Sequence, residues 1–241
     1  MKPVAMAFLL AFASLSRPLG ADSGDPVLAA VLREATAVSP LDHALLRETI
    51  DNSGKTRQMK ARFDPRREAG AGWTLLERNG EAPSAKYREK AAADLSGEVP
   101  QSYAMVAHML AGPVRFLGQA DGIRRYEVSP LGPGSILIDG HDISDFISGI
   151  AHIDMRGPVP LLAEMELRVT ESFRPRWFAH IEDGEGRIRF GRDAGGRPVI
   201  LSYRLHVSGL RPFGRIDYAV EMRFFDHVYV GSGPDSDDPA R

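Results

Sequence analysis

The densest run of side chains able to do chemistry is Asp139, His141, Asp142, Ser144 and Asp145, placed just before Phe146. Serine, histidine and aspartate are the parts of a hydrolytic triad, in which the carboxylate orients the imidazole and the imidazole takes the serine proton. The run lacks the GxSxG turn that lifts a nucleophile above a sheet, and Asp and Ser also serve loops and helix caps. A hydrolase working from 139–145 is therefore the third reading of this chain, and no catalytic set is predicted. Of seven histidines, His152, His180, His206 and His227 fall in or near strand-like runs. No HxH or HExxH spacing joins them, so no metal site is predicted. Arg174-Pro175-Arg176-Trp177 could grip phosphate oxygens, but such a corner more often ends a strand anchored by an aromatic, and that reading is favoured. Gly184-Glu185-Gly186 and Gly195-Gly196 read as hairpin turns. No phosphate-cradling or dinucleotide loop occurs, so no cofactor is predicted.

The elements that must position these groups are mostly strands. Leu161, Ala163, Met165, Leu167 and Val169 alternate with Glu164, Glu166, Arg168 and Thr170. Val199, Leu201, Tyr203, Leu205 and Val207 alternate with Ser202, Arg204, His206 and Ser208; Ile216, Tyr218, Val220, Met222 and Phe224 alternate with Asp217, Glu221 and Arg223. A period of two puts each apolar series on one side of a pleated strand, giving an antiparallel sheet with one greasy and one charged face. Shorter strands are expected near 45–51, 56–63, 73–77, 114–117, 123–128, 136–138 and 147–154. Helices are expected after the Asp25-Pro26 cap, after Pro83-Ser84 and across 102–111, the last with Met105 and Met109 on its apolar side. The fold class read from this pattern is α+β and β-dominated: a strongly curved antiparallel sheet, an unclosed β-barrel, covered by short helices.

Lys2 followed by the apolar run 4–15 and Leu19-Gly20-Ala21 has the layout of a secretory signal peptide cleaved near Ala21. The expected organisation is a signal peptide at 1–21, one domain at 22–230 and a disordered Gly, Ser, Asp and Pro tail at 231–241. The expected location is the periplasm or the exterior. There is no cysteine among the 241 residues, so disulfides and thiol chemistry are excluded. Lys plus Arg at 30 against Asp plus Glu at 32, without a basic block, argues against nucleic acid. No later run is long and apolar enough for a transmembrane helix, and the chain reads as a monomer.

An amphipathic helix, a hairpin, inserted helices and a long meander of half-apolar strands after a signal peptide resemble the LolA/LolB lipoprotein-carrier superfamily. The segment from Ala61-Arg62-Phe63-Asp64-Pro65 to Trp73-Thr74-Leu75-Leu76 resembles exported proteobacterial proteins of unassigned role. The resemblance implies a curved sheet lidded by helices around a cavity for acyl chains. Its lining would be Met165, Leu167, Tyr203, Leu205, Tyr218, Val220 and Met222, with Met105 and Met109 from the second inserted helix. Burying roughly 0.8 kcal/mol per methylene, such a pocket would need no polar anchor. The expected function is thus non-enzymatic binding of a lipid or lipoprotein acyl chain. The alternative is a non-catalytic interaction module with a filled core, partnered by another envelope protein.

Overall fold

Asp25 starts the first helix as its residue type suggests. Its Oδ1 accepts the Val27 amide at 2.8 Å, and Pro26 occupies the first turn, where a missing N–H leaves nothing unpaired. The computed structural model describes residues 24–52, 56–67, 72–138, 141–176 and 179–231. The signal-peptide reading, the tail reading beyond Gly231, Asp139 and Trp177 therefore lie outside the described residues. The elements are helix α1 (Pro26–Ala37), strands β1 (His43–Asp51), β2 (Arg57–Phe63) and β3 (Trp73–Arg78), and helices α2 (Ala85–Asp94) and α3 (Met105–Met109). There follow β4 (Val114–Ala120), β5 (Ile123–Val128), β6 (Leu137–Ile138), β7 (His141–Asp142), a short 3-10 turn at Ser144–Phe146, β8 (Ile147–Asp154) and β9 (Leu161–Val169). The chain closes with β10 (Phe173–Arg176), β11 (Ala179–Arg192), β12 (Pro198–Arg211) and β13 (Gly214–Tyr229).

Eleven strands form one antiparallel sheet in the order β3-β2-β1-β13-β12-β11-β9-β8-β5-β4, with β10 added beside β11. The sheet is not closed into a barrel: β3 and β4 are its two ends. Trp73 of β3 and Tyr126 and Val128 of β5 nevertheless share one apolar core with the strands between them. No described helix is long and apolar enough to cross a membrane.

Two β-bulges shift the alternation read from the sequence. The register of β8 and β9 slips around Ala163, so Leu162 is fully buried while Leu161 and Ala163 are only half-buried. The register of β11 and β12 slips around Leu201, which stands 42% exposed while Ile200 turns into the core. A bulge puts two residues opposite one, and parity reverses across it. A second difference concerns Gly184-Glu185-Gly186. These residues lie within the continuous strand β11, whereas Gly196 does sit in a tight turn with φ 79°. A Cβ on Gly184 would stand 3.0 Å from Val169 Cγ2, so neighbouring side chains occupy the space that a side chain would need.

Helices α1 and α3 cover the apolar face. Val27, Leu28, Val31 and Ala35 of α1, and Met105, Val106 and Met109 of α3, are buried against it. Between the two helices and β9, Tyr103 is wholly buried, and its hydroxyl accepts the Leu162 amide at 3.0 Å. Both ends of α1 are tied to the sheet. Asp25 Oδ2 accepts the Tyr126 hydroxyl of β5 at 2.7 Å, and Glu34 takes two bonds from Arg192 of β11, at 2.8 and 3.1 Å. Burial pushes the Asp25 carboxyl up, but the Tyr126 hydroxyl, the Val27 amide and Arg124 outweigh it and leave it below the ordinary 3.8.

A smaller buried polar group closes the region around β1 and β13. His43 Nε2 lies 3.1 Å from Asp193 Oδ2, and the His227 ring sits edge-on to His43 at 6.1 Å. Burial, and then His43, hold the His227 imidazole down at about 4 from an ordinary 6.5. The unfolded chain therefore takes up this proton before the folded one does. The stability that depends on neutral His227 is complete above pH 6.5 and is lost as pH falls toward 4. Melting curves should show Tm declining through that window. His227→Gln, which cannot titrate, should flatten this part of the profile; an unchanged profile would contradict the assignment.

Candidate functional site

Register lines up the charged residues of the sheet's other face into rows across the strands. One row runs Glu127, Ile150, Glu166, Arg187, Arg204 and Glu221, each directly opposite the next. The row beside it runs Ser148, Arg168, Glu185, His206 and Ala219. Both rows line a depression of about 850 Å³, together with Gly149, Leu167, Gly184, Gly186, Leu205 and Val220. Its walls are charged.

Most of those charges are paired. Arg187 reaches Glu164 at 3.4 Å and Glu166 at 3.5 Å, Arg189 holds Glu164 at 2.8 Å, and Arg204 and Arg223 both hold Glu221, at 3.2 and 2.7 Å. Burial pushes the Glu221 carboxyl up, yet its two arginines bring it below the ordinary 4.5. Arg168 and Glu185 stand opposite each other, and among the described residues neither has an ion-pair or hydrogen-bond partner. They are the groups the depression leaves free to meet a ligand. His152, Glu164 and Glu166 bring three ligand atoms within 4.8 Å of one another, a cluster no linear spacing reveals because β8 and β9 supply it jointly. Arg187 and Arg189 already neutralise its carboxylates.

The apolar face offers far less room. Its cavity is about 40 Å³, little more than one water occupies in the liquid, and it lies among Ile136, Ile143, Phe173, Tyr203, Leu205 and Val207. Of the residues expected to line an acyl pocket, Met105, Met109, Met165, Leu167, Tyr203 and Val220 are buried in the core. Leu205, Tyr218 and Met222 are half-buried and packed against it. Only Leu167, Tyr203 and Leu205 of this set border the small cavity. Their neighbours Arg168 and Arg204 are exposed on the opposite face, as strand parity requires.

The 141–145 residues are brought together for another purpose. Asp142 accepts the Gly134 amide at 2.8 Å through Oδ2, and the Ser144 amide and hydroxyl, at 3.0 and 2.5 Å, through Oδ1. Ser144 is buried and accepts the Ile136 amide at 3.1 Å. Its hydroxyl is bound to a carboxylate and a backbone amide, and among the described residues it has no bond to a histidine. Desolvation raises the Asp142 carboxyl, but these donors outweigh it and keep it below 3.8. His141 is exposed. The network stitches the segment lying over Tyr203 and Val207.

Comparison with known proteins finds no matching family model, curated protein or solved structure. Ser144→Ala should then act on stability, costing about 1–2 kcal/mol because the Ile136 amide loses its buried acceptor. Chemical denaturation measures this directly, and an undiminished midpoint would mean that the network holds nothing.

Proposed function

We propose that this protein is an exported, non-catalytic interaction module that receives a polar polypeptide segment on the charged face of its sheet. The observation that carries the proposal is the contrast in free volume: about 850 Å³ on the charged face against about 40 Å³ on the apolar one. Sites for sizeable ligands run from roughly 300 to 1,000 Å³. The wall chemistry supports a ligand carrying both signs of charge, since carboxylates and guanidiniums share the walls and, among the described lining residues, Arg168 and Glu185 lack ion-pair partners. Phe, Tyr and Trp are absent from the lining residues, which lessens the fit for a stacked sugar or base. The N-terminal layout of Lys2 and the apolar run 4–15 supports export.

The acyl-chain reading keeps one specific observation in its favour. The small apolar cavity is walled on one side by the segment carrying Ile136 and Ile143 rather than by the sheet, so lifting that segment would enlarge it. A lipid would enter only by displacing this segment, whose own shape the Asp142 and Ser144 bonds fix.

A fluorescence-polarisation screen against labelled peptides of patterned charge tests the proposal. Peptides carrying both signs should bind, and Arg168→Glu should weaken them about fivefold, the effect of roughly 1 kcal/mol at a solvent-facing charge. Lys86→Glu, on the exposed face of α2, serves as the control. Binding that ignores Arg168→Glu and responds to Leu205→Glu in a folded protein would favour the apolar face instead.

A further inference from the structure

The hairpin between β12 and β13 turns through Arg211-Pro212-Phe213-Gly214-Arg215, and Phe213 at its tip is 95% exposed. No other described large apolar side chain is as open to water, and Leu210 at its base is 44% exposed. Among the described residues the ring belongs to no part of the hydrophobic core and lines none of the cavities named above. The end of the sheet around it has its own charge. His180 of β11 pairs with Leu210, Leu210 with Arg215, and Phe173 with Ile181, so β10 and the start of β11 flank the hairpin. The stretches 173–181 and 209–216 contain four arginines and neither Asp nor Glu, in a chain whose net charge is −2. Arg174, Arg211 and Arg215 are exposed, and among the described residues none has a carboxylate partner. The arginines of the charged rows, in contrast, are mostly paired. The nearest acidic residue along the hairpin, Asp217, is engaged by His206 at 3.0 Å.

We propose that the β12–β13 hairpin tip seats this protein on an anionic lipid surface, with Phe213 entering the boundary between headgroups and acyl chains while Arg211, Arg215 and Arg174 meet lipid phosphates. Guanidinium forks match phosphate oxygens, and an aromatic ring gains from leaving water at that depth. The contact is peripheral and reversible, because one ring and a few basic residues give only marginal membrane binding. It does not depend on what the depression of the charged face holds, since the two lie on different parts of the sheet.

Cosedimentation of the purified protein with vesicles of phosphatidylcholine, with and without phosphatidylglycerol, tests this. The expected result is binding to the anionic vesicles only, weakened by salt. Phe213→Ser should reduce it about tenfold and Arg211→Glu at least fivefold, the sizes set by one buried ring and one basic residue at the surface. Both positions are solvent-exposed, and circular dichroism of each variant verifies that it folds. No binding to anionic vesicles overturns the proposal. So does binding that both variants retain, binding equal on neutral vesicles, or a tip that binds an acidic polypeptide but no vesicle.

Discussion

A sheet with one apolar face has to bury that face, and here α1 does so under constraint from both ends. Asp25 fixes its N-terminus to Tyr126 on β5, and Glu34 fixes its last turns to Arg192 on β11, so the helix lies across the strands between them. Arg192 donates as well to the carbonyls of Val159 and Gly196, which joins the turns flanking β9 and β12 to the same clamp. With α1 placed, α3 and Tyr103 fill the remaining apolar space, and the Tyr103 hydroxyl satisfies the amide of Leu162 beside the β9 bulge. Packing at this density leaves few voids, because dispersion contacts reward closure and every gap forfeits them.

The charged face follows from the same constraint. Once parity commits Met165, Leu167, Tyr203 and Val220 to the core, Glu166, Arg168, Arg204 and Glu221 have nowhere to point but the opposite side. Cross-strand register turns these into rows in which arginines bridge carboxylates on neighbouring strands. Each exposed pair contributes little alone. Their arrangement does more for shape and selectivity, since it leaves a depression whose walls are fixed and whose free groups, Arg168 and Glu185, are of opposite sign.

Much of this architecture was legible from residue order. The Asp25-Pro26 cap, the three long alternating strands and the antiparallel, unclosed sheet all follow from period and turn chemistry. The bulges were not legible: Ala163 and Leu201 continue their apolar series without a break, and only pairing with β8 and β11 reveals the slip. Glu185 and Arg187 escaped notice because flanking glycines imitate a turn. Those glycines instead leave room for Val169 and Leu167 from the next strand. The His152, Glu164 and Glu166 cluster and the rows of the depression are properties of register, which no single strand encodes. The Asp142 and Ser144 pair was visible as a cluster, but its burial and its backbone bonds decide its role, and those belong to the tertiary fold.

The central claim is that the apolar face is a core and the charged face is where binding happens. Methionine methyl NMR with a soluble fatty acid, such as laurate, tests it most directly, because Met105, Met109 and Met165 are buried at the heart of that core. The account predicts that their methyl signals stay in place as laurate is added. Saturable shifts of Met109 and Met165, with contacts from the laurate chain to those methyls, would show an acyl chain inside the core and contradict it.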